Sequence, residues 1–284
     1  MMLCTLMLLF AAHGAERQFW VEAPTEGDRA TLQALPLGFA EGQRGAWFRM
    51  VGDDTSTAAL ERSGLRHEPI PTPPPAPPGY ASPDDMNAAL MALADERPDL
   101  VEAVHTGWSV EGRDLLALRI TAATAPRLGW RVLGTHHGDE LSSAELALAT
   151  AQRLVEDYGE DERVSRILDR DVVWVWPHVN PDGVELATRG NAHGVDLNRN
   201  YAHEWDAGAW AAGPSPFSEP ETRAVRTLST WTALGAGLSM HAGEINLGWV
   251  WNHTTTRVAD DALLEGIAEE YLASCTVPDF WITN

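Results

Sequence analysis

Gly134-Thr135-His136-His137-Gly138-Asp139-Glu140 follows an apolar run, Trp130 to Leu133, and precedes a helical pattern that opens at Leu141. His137 and Glu140 stand three residues apart, so a tight turn or a first helical turn aims imidazole and carboxylate at one point. Zinc accepts both atom types, and its catalytic sites use three protein ligands with one position left for water. A third ligand has to come from far downstream, where Ser239-Met240-His241 also closes an apolar run. Spacing alone leaves alternatives open. His136 and Asp139 repeat the interval, and a His and a Glu three apart often form no more than a surface pair. The His-Glu-x-x-His signature of other zinc proteases is absent, because His67-Glu68 and His203-Glu204 lack a second histidine four residues after the first.

Working outward from this stretch, apolar strands alternate with helical patterns. The reading gives a helix from Ser82-Pro83-Asp84 through Ala94, with Ser as cap and Pro in the first turn. It then gives a strand over Leu115 to Ile120, a strand over Trp130 to Thr135, a helix over Leu141 to Tyr158 and a strand over Asp171 to Val179. A helix over Pro220 to Leu234, a strand over Gly237 to Met240 and a helix over Arg257 to Ala273 complete it. Such alternation predicts an α/β fold with a central sheet covered on both faces. Upstream, Phe19 to Ile70 reads as a separate small α/β unit of short strands and helices. Between the two lies Pro71 to Gly79, with six prolines in nine positions, which reads as a stiff extended spacer or, alternatively, as a ligand for proline-binding modules. The expected domains are 1–15 as a signal peptide, 16–70 as the small unit, 71–79 as linker and 80–284 as the main domain.

Composition narrows the chemistry. The net charge of -21 disfavours phosphate backbones and anionic lipid, so neither nucleic acid nor membrane is an expected partner. All 20 basic residues are arginine. Without lysine there is no Walker-type phosphate loop, pyridoxal Schiff base or Ser-x-x-Lys nucleophile. Cys4 and Cys275 are the only cysteines, and Cys4 falls in the leader, which excludes a disulfide framework after processing. That leader, Met1 to Ala15, is an apolar run ending in small residues, although it lacks a basic start. It predicts export, to the periplasm or outside the cell.

The long stretch from Pro181 to Ser218 carries the remaining polar motifs. Val179-Asn180-Pro181-Asp182-Gly183 reads as a tight turn at a strand end. Arg189, in Thr188-Arg189-Gly190-Asn191, and Arg199, in Gly194-Val195-Asp196-Leu197-Asn198-Arg199-Asn200, place two guanidiniums beside the proposed metal. Such forks bind a carboxylate or a developing oxyanion, unless they pair with the chain's surplus acids.

Taken together, Gly-x-His-x-x-Glu, Asn-Pro-Asp-Gly, the lone loop arginine, Asp-Leu-Asn-Arg-Asn, Ser218-Glu219-Pro220-Glu221-Thr222 and His241, in this order, resemble the zinc carboxypeptidases from about Tyr80 onward. The resemblance implies a mixed central sheet flanked by helices, one zinc ion held by His137, Glu140 and His241, and hydrolysis of peptide or protein C-termini by a zinc-activated water. It implies that Asn198 and Arg199 clamp the terminal carboxylate, that Arg189 polarises the scissile carbonyl, and that Asp196 supports His137. That last role also has a general basis, since a carboxylate on the second ring nitrogen fixes the tautomer. The unit at 16–70 is prodomain-like in this reading.

The family's general-base glutamate and a substrate-capping tyrosine lie far beyond the second histidine, whereas 43 residues follow His241. The expectation is therefore a chain truncated at its C-terminal end. Glu265, Glu269 and Glu270 are expected on a solvated helix face, and Glu244 has no matching family role. Two other functions compete: a zinc- and peptide-binding pseudoenzyme, and a deacylase of the aspartoacylase type, which shares His-x-x-Glu and Asp-Leu-Asn-Arg.

Overall fold

The computed structural model describes residues 16–71, 79–243, 246–251, 256–275 and 281–283. The leader, most of the proline run and Glu244 lie outside them. The chain divides into two compact units, one ending at His241 and one beginning at Ala242.

The larger unit opens with β1 (Arg17–Glu22), α1 (Glu26–Gln33), β2 (Gly38–Arg44), β3 (Trp47–Gly52), α2 (Asp54–Ser63) and β4 (His67–Ile70). The four strands form an antiparallel sheet in the order β2-β3-β1-β4. Local chemistry explains the helix ends. Thr25 and Asp28 make a reciprocal capping box for α1, and Asp53 caps α2 by accepting from the Ser56 amide. Gly64 closes α2 in the left-handed region. Phe19, Val21, Leu32, Met50 and Leu60 form a small core of their own. Strand β2 was not expected from the sequence, because its Gly-Phe-Ala-Glu-Gly-Gln-Arg composition lacks the β-branched alternation that marks strands.

There follow α3 (Pro83–Glu96), β5 (Val101–Trp108), β6 (Asp114–Ile120), β7 (Gly129–Leu133), α4 (Leu141–Asp157), α5 (Glu162–Leu168), β8 (Val172–Trp176), α6 (Pro181–Leu186), a short 3-10 turn at Leu197–Arg199, α7 (Pro220–Leu228) and β9 (Leu234–Ser239). The sheet order is β5-β6-β8-β7-β9. Strands β5, β6 and β8 pair antiparallel, while β8, β7 and β9 run parallel, so the fold is mixed α/β. Strand β8, Val-Val-Trp-Val-Trp, is buried at every position because both faces are covered. Val173 and Val175 pack with Leu118, Ala147 and Leu168 on one face. Val172, Trp174 and Trp176 pack with Leu115, Leu197 and Val225 on the other.

Several boundaries differ from the sequence reading. Strand β5 and helix α5 were not foreseen. Helix α7 ends at Leu228 rather than Leu234, and the following strand begins at Leu234 rather than Gly237. The Asn-Pro-Asp-Gly stretch is the start of helix α6, with Asn180 as its cap.

The second unit holds β10 (Asn246–Gly248), α8 (Asp261–Ser274) and β11 (Trp281–Thr283), with β10 and β11 parallel. Glu265, Glu269 and Glu270 are exposed on α8, as expected. No helix among the described residues is long and apolar enough to cross a membrane.

Candidate metal centre and substrate clamp

The candidate site lies beyond the carboxyl ends of the parallel strands, where open α/β sheets bind ligands. Strand β7 leads into His136 and His137, and β9 leads into His241. The turn out of β7 is tight. Thr135 adopts φ 39°, a conformation uncommon for a β-branched residue, and is held there by two buried bonds. Its amide donates to Ser143 Oγ at 2.8 Å and its hydroxyl donates to the Pro177 carbonyl at 2.5 Å. Gly138 packs backbone to backbone on α6, and a Cβ there would lie 2.0 Å from the Gly183 carbonyl carbon. Glu140 heads α4 without capping it, so its carboxylate is left for the site.

His137 Nδ1 lies 2.9 Å from Glu140 Oε1, His241 Nδ1 lies 2.8 Å from Glu140 Oε2, and the two Nδ1 atoms are 3.2 Å apart. Ligand atoms of the three residues all fall within 4.8 Å of one another, the sole such grouping among the described residues. Donors about 2.0–2.1 Å from a tetrahedral zinc stand about 3.4 Å apart, so two imidazole nitrogens and a carboxylate in this arrangement fit that ion. The ambiguity between the two His-x-x-acid pairs also resolves. His136 Nε2 lies 2.7 Å from the Tyr201 hydroxyl and Nδ1 lies 3.2 Å from Ser239 Oγ. Burial lowers its pKa to about 3, so it stays neutral. Asp139 turns the opposite way, toward the N-terminal sheet.

Behind the histidine, Asp196 Oδ1 lies 3.1 Å from His137 Nε2, and Oδ2 accepts from Arg189 Nε at 3.0 Å. Asp196 Oδ1 also accepts from the Asn198 amide at 2.9 Å. Burial works against ionised Asp196, but Arg189 and His137 outweigh it and hold its pKa well below the usual carboxylate range. Burial and Arg189 likewise oppose a charge on His137. The carboxylates of Asp196 and Glu140 prevail and raise it to about 10. Arg189 Nη1 stands 3.1 Å from His137 Nδ1 and 3.6 Å from Glu140 Oε1.

Two side chains that the sequence marked only as motif positions hold this loop in place. Asn180 Nδ2 donates to the carbonyls of both His136 and Arg189, at 3.2 and 3.3 Å, tying the two site loops together. Asn191 donates to Glu219 and Glu221, at 2.8 and 3.1 Å, anchoring the loop to α7. Burial raises the Glu221 pKa to about 7.

The N-terminal unit reaches the same region, which no local pattern announced. Glu16 accepts from the amides of Arg189 and Gly190, at 3.0 and 3.3 Å. The Phe39 carbonyl accepts from Arg199 Nη2 at 3.0 Å and from Arg189 Nη2 at 3.5 Å. Gln18 donates to Asp139 at 2.7 Å, and Arg49 lies 3.5 Å from the same oxygen. These contacts join residues 90 or more positions apart, beyond the reach of any spacing argument.

The sequence matches the zinc carboxypeptidases over residues 86–278. The chain belongs to the zinc carboxypeptidase family. It is similar to carboxypeptidase D of Drosophila melanogaster, 31% identical over 175 residues that make up 56% of this chain and 12% of that protein. It is also similar to the carboxypeptidase N catalytic chain of Mus musculus, 27% identical over 232 residues, 66% of this chain and 50% of that one. The chain thus spans half or less of the length of these relatives. A solved carboxypeptidase A from Helicoverpa armigera shares its fold, with a TM-score of 0.73 over 95% of this chain and 81% of that one at 18% identity. Family membership makes the chain a member of a hydrolase family and bears out the resemblance carried by the motifs.

Proposed function

We propose that this member of the zinc carboxypeptidase family is a zinc-dependent exopeptidase that removes C-terminal residues from peptides. The observation that carries the reading is the convergence of His137 Nδ1, Glu140 and His241 Nδ1 on one point, with Arg189 at its edge and Arg199 on the same loop. His137, Glu140 and His241 would hold the zinc, which when bound supplies a Lewis acid and lowers the pKa of water.

The chain's own residues prepare that chemistry. Asp196 accepts a hydrogen bond from His137 Nε2–H, so the Nδ1 lone pair of the neutral ring faces the metal point. Arg189 presents a guanidinium where charge develops on a scissile carbonyl. Asn198 and Arg199 receive the terminal carboxylate. No residue of this chain is assigned the general base. The Phe39 carbonyl sits on the arginines proposed to bind substrate, and Glu16 takes the neighbouring amides. Residues 16–70 therefore act as a prodomain-like cover joined through 71–79 to the domain at 80–284, with 1–15 as an export leader.

The test is release of the C-terminal amino acid from peptides by the zinc-loaded chain. Activity lost in Glu140→Ala is expected, together with a higher rate in the Glu16→Ala, Arg49→Ala double variant. Zinc and peptide binding without turnover in either form would leave a binding protein, and hydrolysis of N-acyl aspartate instead of peptides would overturn the reading.

A further inference from the structure

Asp139 belongs to none of the roles above, although it lies between two proposed ligands. Its side chain is 3% exposed. One carboxylate oxygen, Oδ2, accepts from Gln18 Nε2 at 2.7 Å and stands 3.5 Å from Arg49 Nη2. The other, Oδ1, is buried with no hydrogen-bond partner. A buried carboxylate with one oxygen unsatisfied is costly, and a planar fork that engaged both oxygens would remove the cost. Arg49 is placed close to doing so but is turned toward Gln18, whose Oε1 accepts from its Nε and Nη2 at 3.1 and 2.5 Å.

This carboxylate is next to the loop that carries the arginines. Arg199, at one end, faces the Phe39 carbonyl. Arg189 comes next, with its side chain at the triad and its amide on Glu16. Asp139 follows Gly138, whose amide meets the Arg189 carbonyl at 3.4 Å, so it adjoins the Arg189 loop. In the N-terminal sheet Phe39 pairs with Met50 and Met50 pairs with Phe19, so Phe39, Arg49 and Gln18 come from adjacent strands and span the same stretch. A peptide with its carboxylate on Arg199 and its scissile carbonyl at Arg189 would run its preceding residues toward Asp139.

We propose that Asp139 recognises a cationic side chain, an arginine or lysine of the substrate upstream of the scissile bond, and that Arg49 occupies this subsite in the covered chain. The proposal rests on the peptidase reading. Removing the cover's arginine would then do more than loosen the cover, because it would clear the cation's place beside the carboxylate and leave Gln18 on Oδ2.

The experiment uses the zinc-loaded full chain and matched peptides carrying arginine or its neutral isostere citrulline at each of the two positions before the C-terminal residue. Turnover is measured as kcat/KM and equilibrium binding by calorimetry. At one position the arginine peptide is expected to be favoured by about tenfold, the scale of one charge-assisted hydrogen bond. In Asp139→Asn the ratio is expected to fall to near one. In Arg49→Ala it is expected to rise, whereas an Arg49 that merely holds the cover in place would raise both peptides equally. An equal response to arginine and citrulline at both positions, or a preference that survives Asp139→Asn, would overturn the proposal while leaving the peptidase reading intact. Failure of every peptide to bind or turn over would remove both.

Discussion

Replacing Asp196 with Asn tests how far the metal centre depends on the carboxylate behind it. Asp196 receives His137 Nε2, Arg189 Nε and the Asn198 amide at 3.1, 3.0 and 2.9 Å while almost wholly buried. An amide of the same shape keeps an acceptor but loses the charge and turns an N–H toward one of these donors. Loss of such an orienting group weakens metal binding by about 10–100-fold. At a free zinc concentration of about 1,000 times the wild-type Kd, zinc adds about 4.1 kcal/mol to folding stability. The variant at the same concentration would gain only about 2.7 to 1.4 kcal/mol, since zinc then stands at about 100 to 10 times its Kd. With about 2–4 °C per kcal/mol for a chain of this size, the zinc-dependent rise in Tm would shrink from about 8–16 °C to as little as about 3–6 °C. Calorimetric scans in chelator and in buffered zinc read this difference, and chelator competition gives the Kd directly. An equal zinc-induced shift in wild type and Asp196→Asn would refute the argument.

Zinc uptake should release a proton near neutral pH, because His137, raised to about 10 by Asp196 and Glu140 against its burial, must give one up to coordinate. Binding heats in buffers of different ionisation enthalpy measure the release, and a value of zero at pH 8 would contradict it. Glu221 makes a second pH prediction. Burial raises its folded pKa to about 7, so the folded state holds the proton that the unfolded state gives up near pH 4.5, and stability falls as pH rises between those values. Glu221→Gln should flatten the urea stability profile over that window, and an unchanged slope would show that another group sets it. Gly138→Ala should lower Tm in the apo chain by several degrees, since its Cβ would meet backbone of α6 at 2.0 Å and the overpacking costs about 1–3 kcal/mol. A variant as stable as wild type would mean that the two loops separate freely.

The parts of the fold that the sequence announced are those fixed by local chemistry. The apolar runs of β7 and β8, the capped start of α3 and the long pattern of α4 all stand within a few residues of where they were read. Strand β5 was missed because Val101–Trp108 mixes Glu, His, Thr and Gly among its apolar residues without regular alternation and draws its order from pairing with β6. At the site, His137 and Glu140 were separable from His136 and Asp139 only by family register. The physical separation comes from Tyr201, Ser239 and the N-terminal sheet, all distant in sequence. Asn180 looked like one residue of a turn, yet its side chain bridges two loops, a role visible only once β7 and the Arg189 loop lie side by side.

The Phe39 carbonyl on Arg199 also sets a concentration scale. A group carried on the same chain competes at an effective concentration in the millimolar range when its tether is short. A free peptide that reaches the arginines, as proposed above, by displacing it must outcompete that local concentration or hold on through additional contacts. Short peptides offering nothing but a terminal carboxylate would be screened out. Those with a second point of attachment would displace the carbonyl at lower concentration, so occupancy would depend on ligand length before any bond is cut.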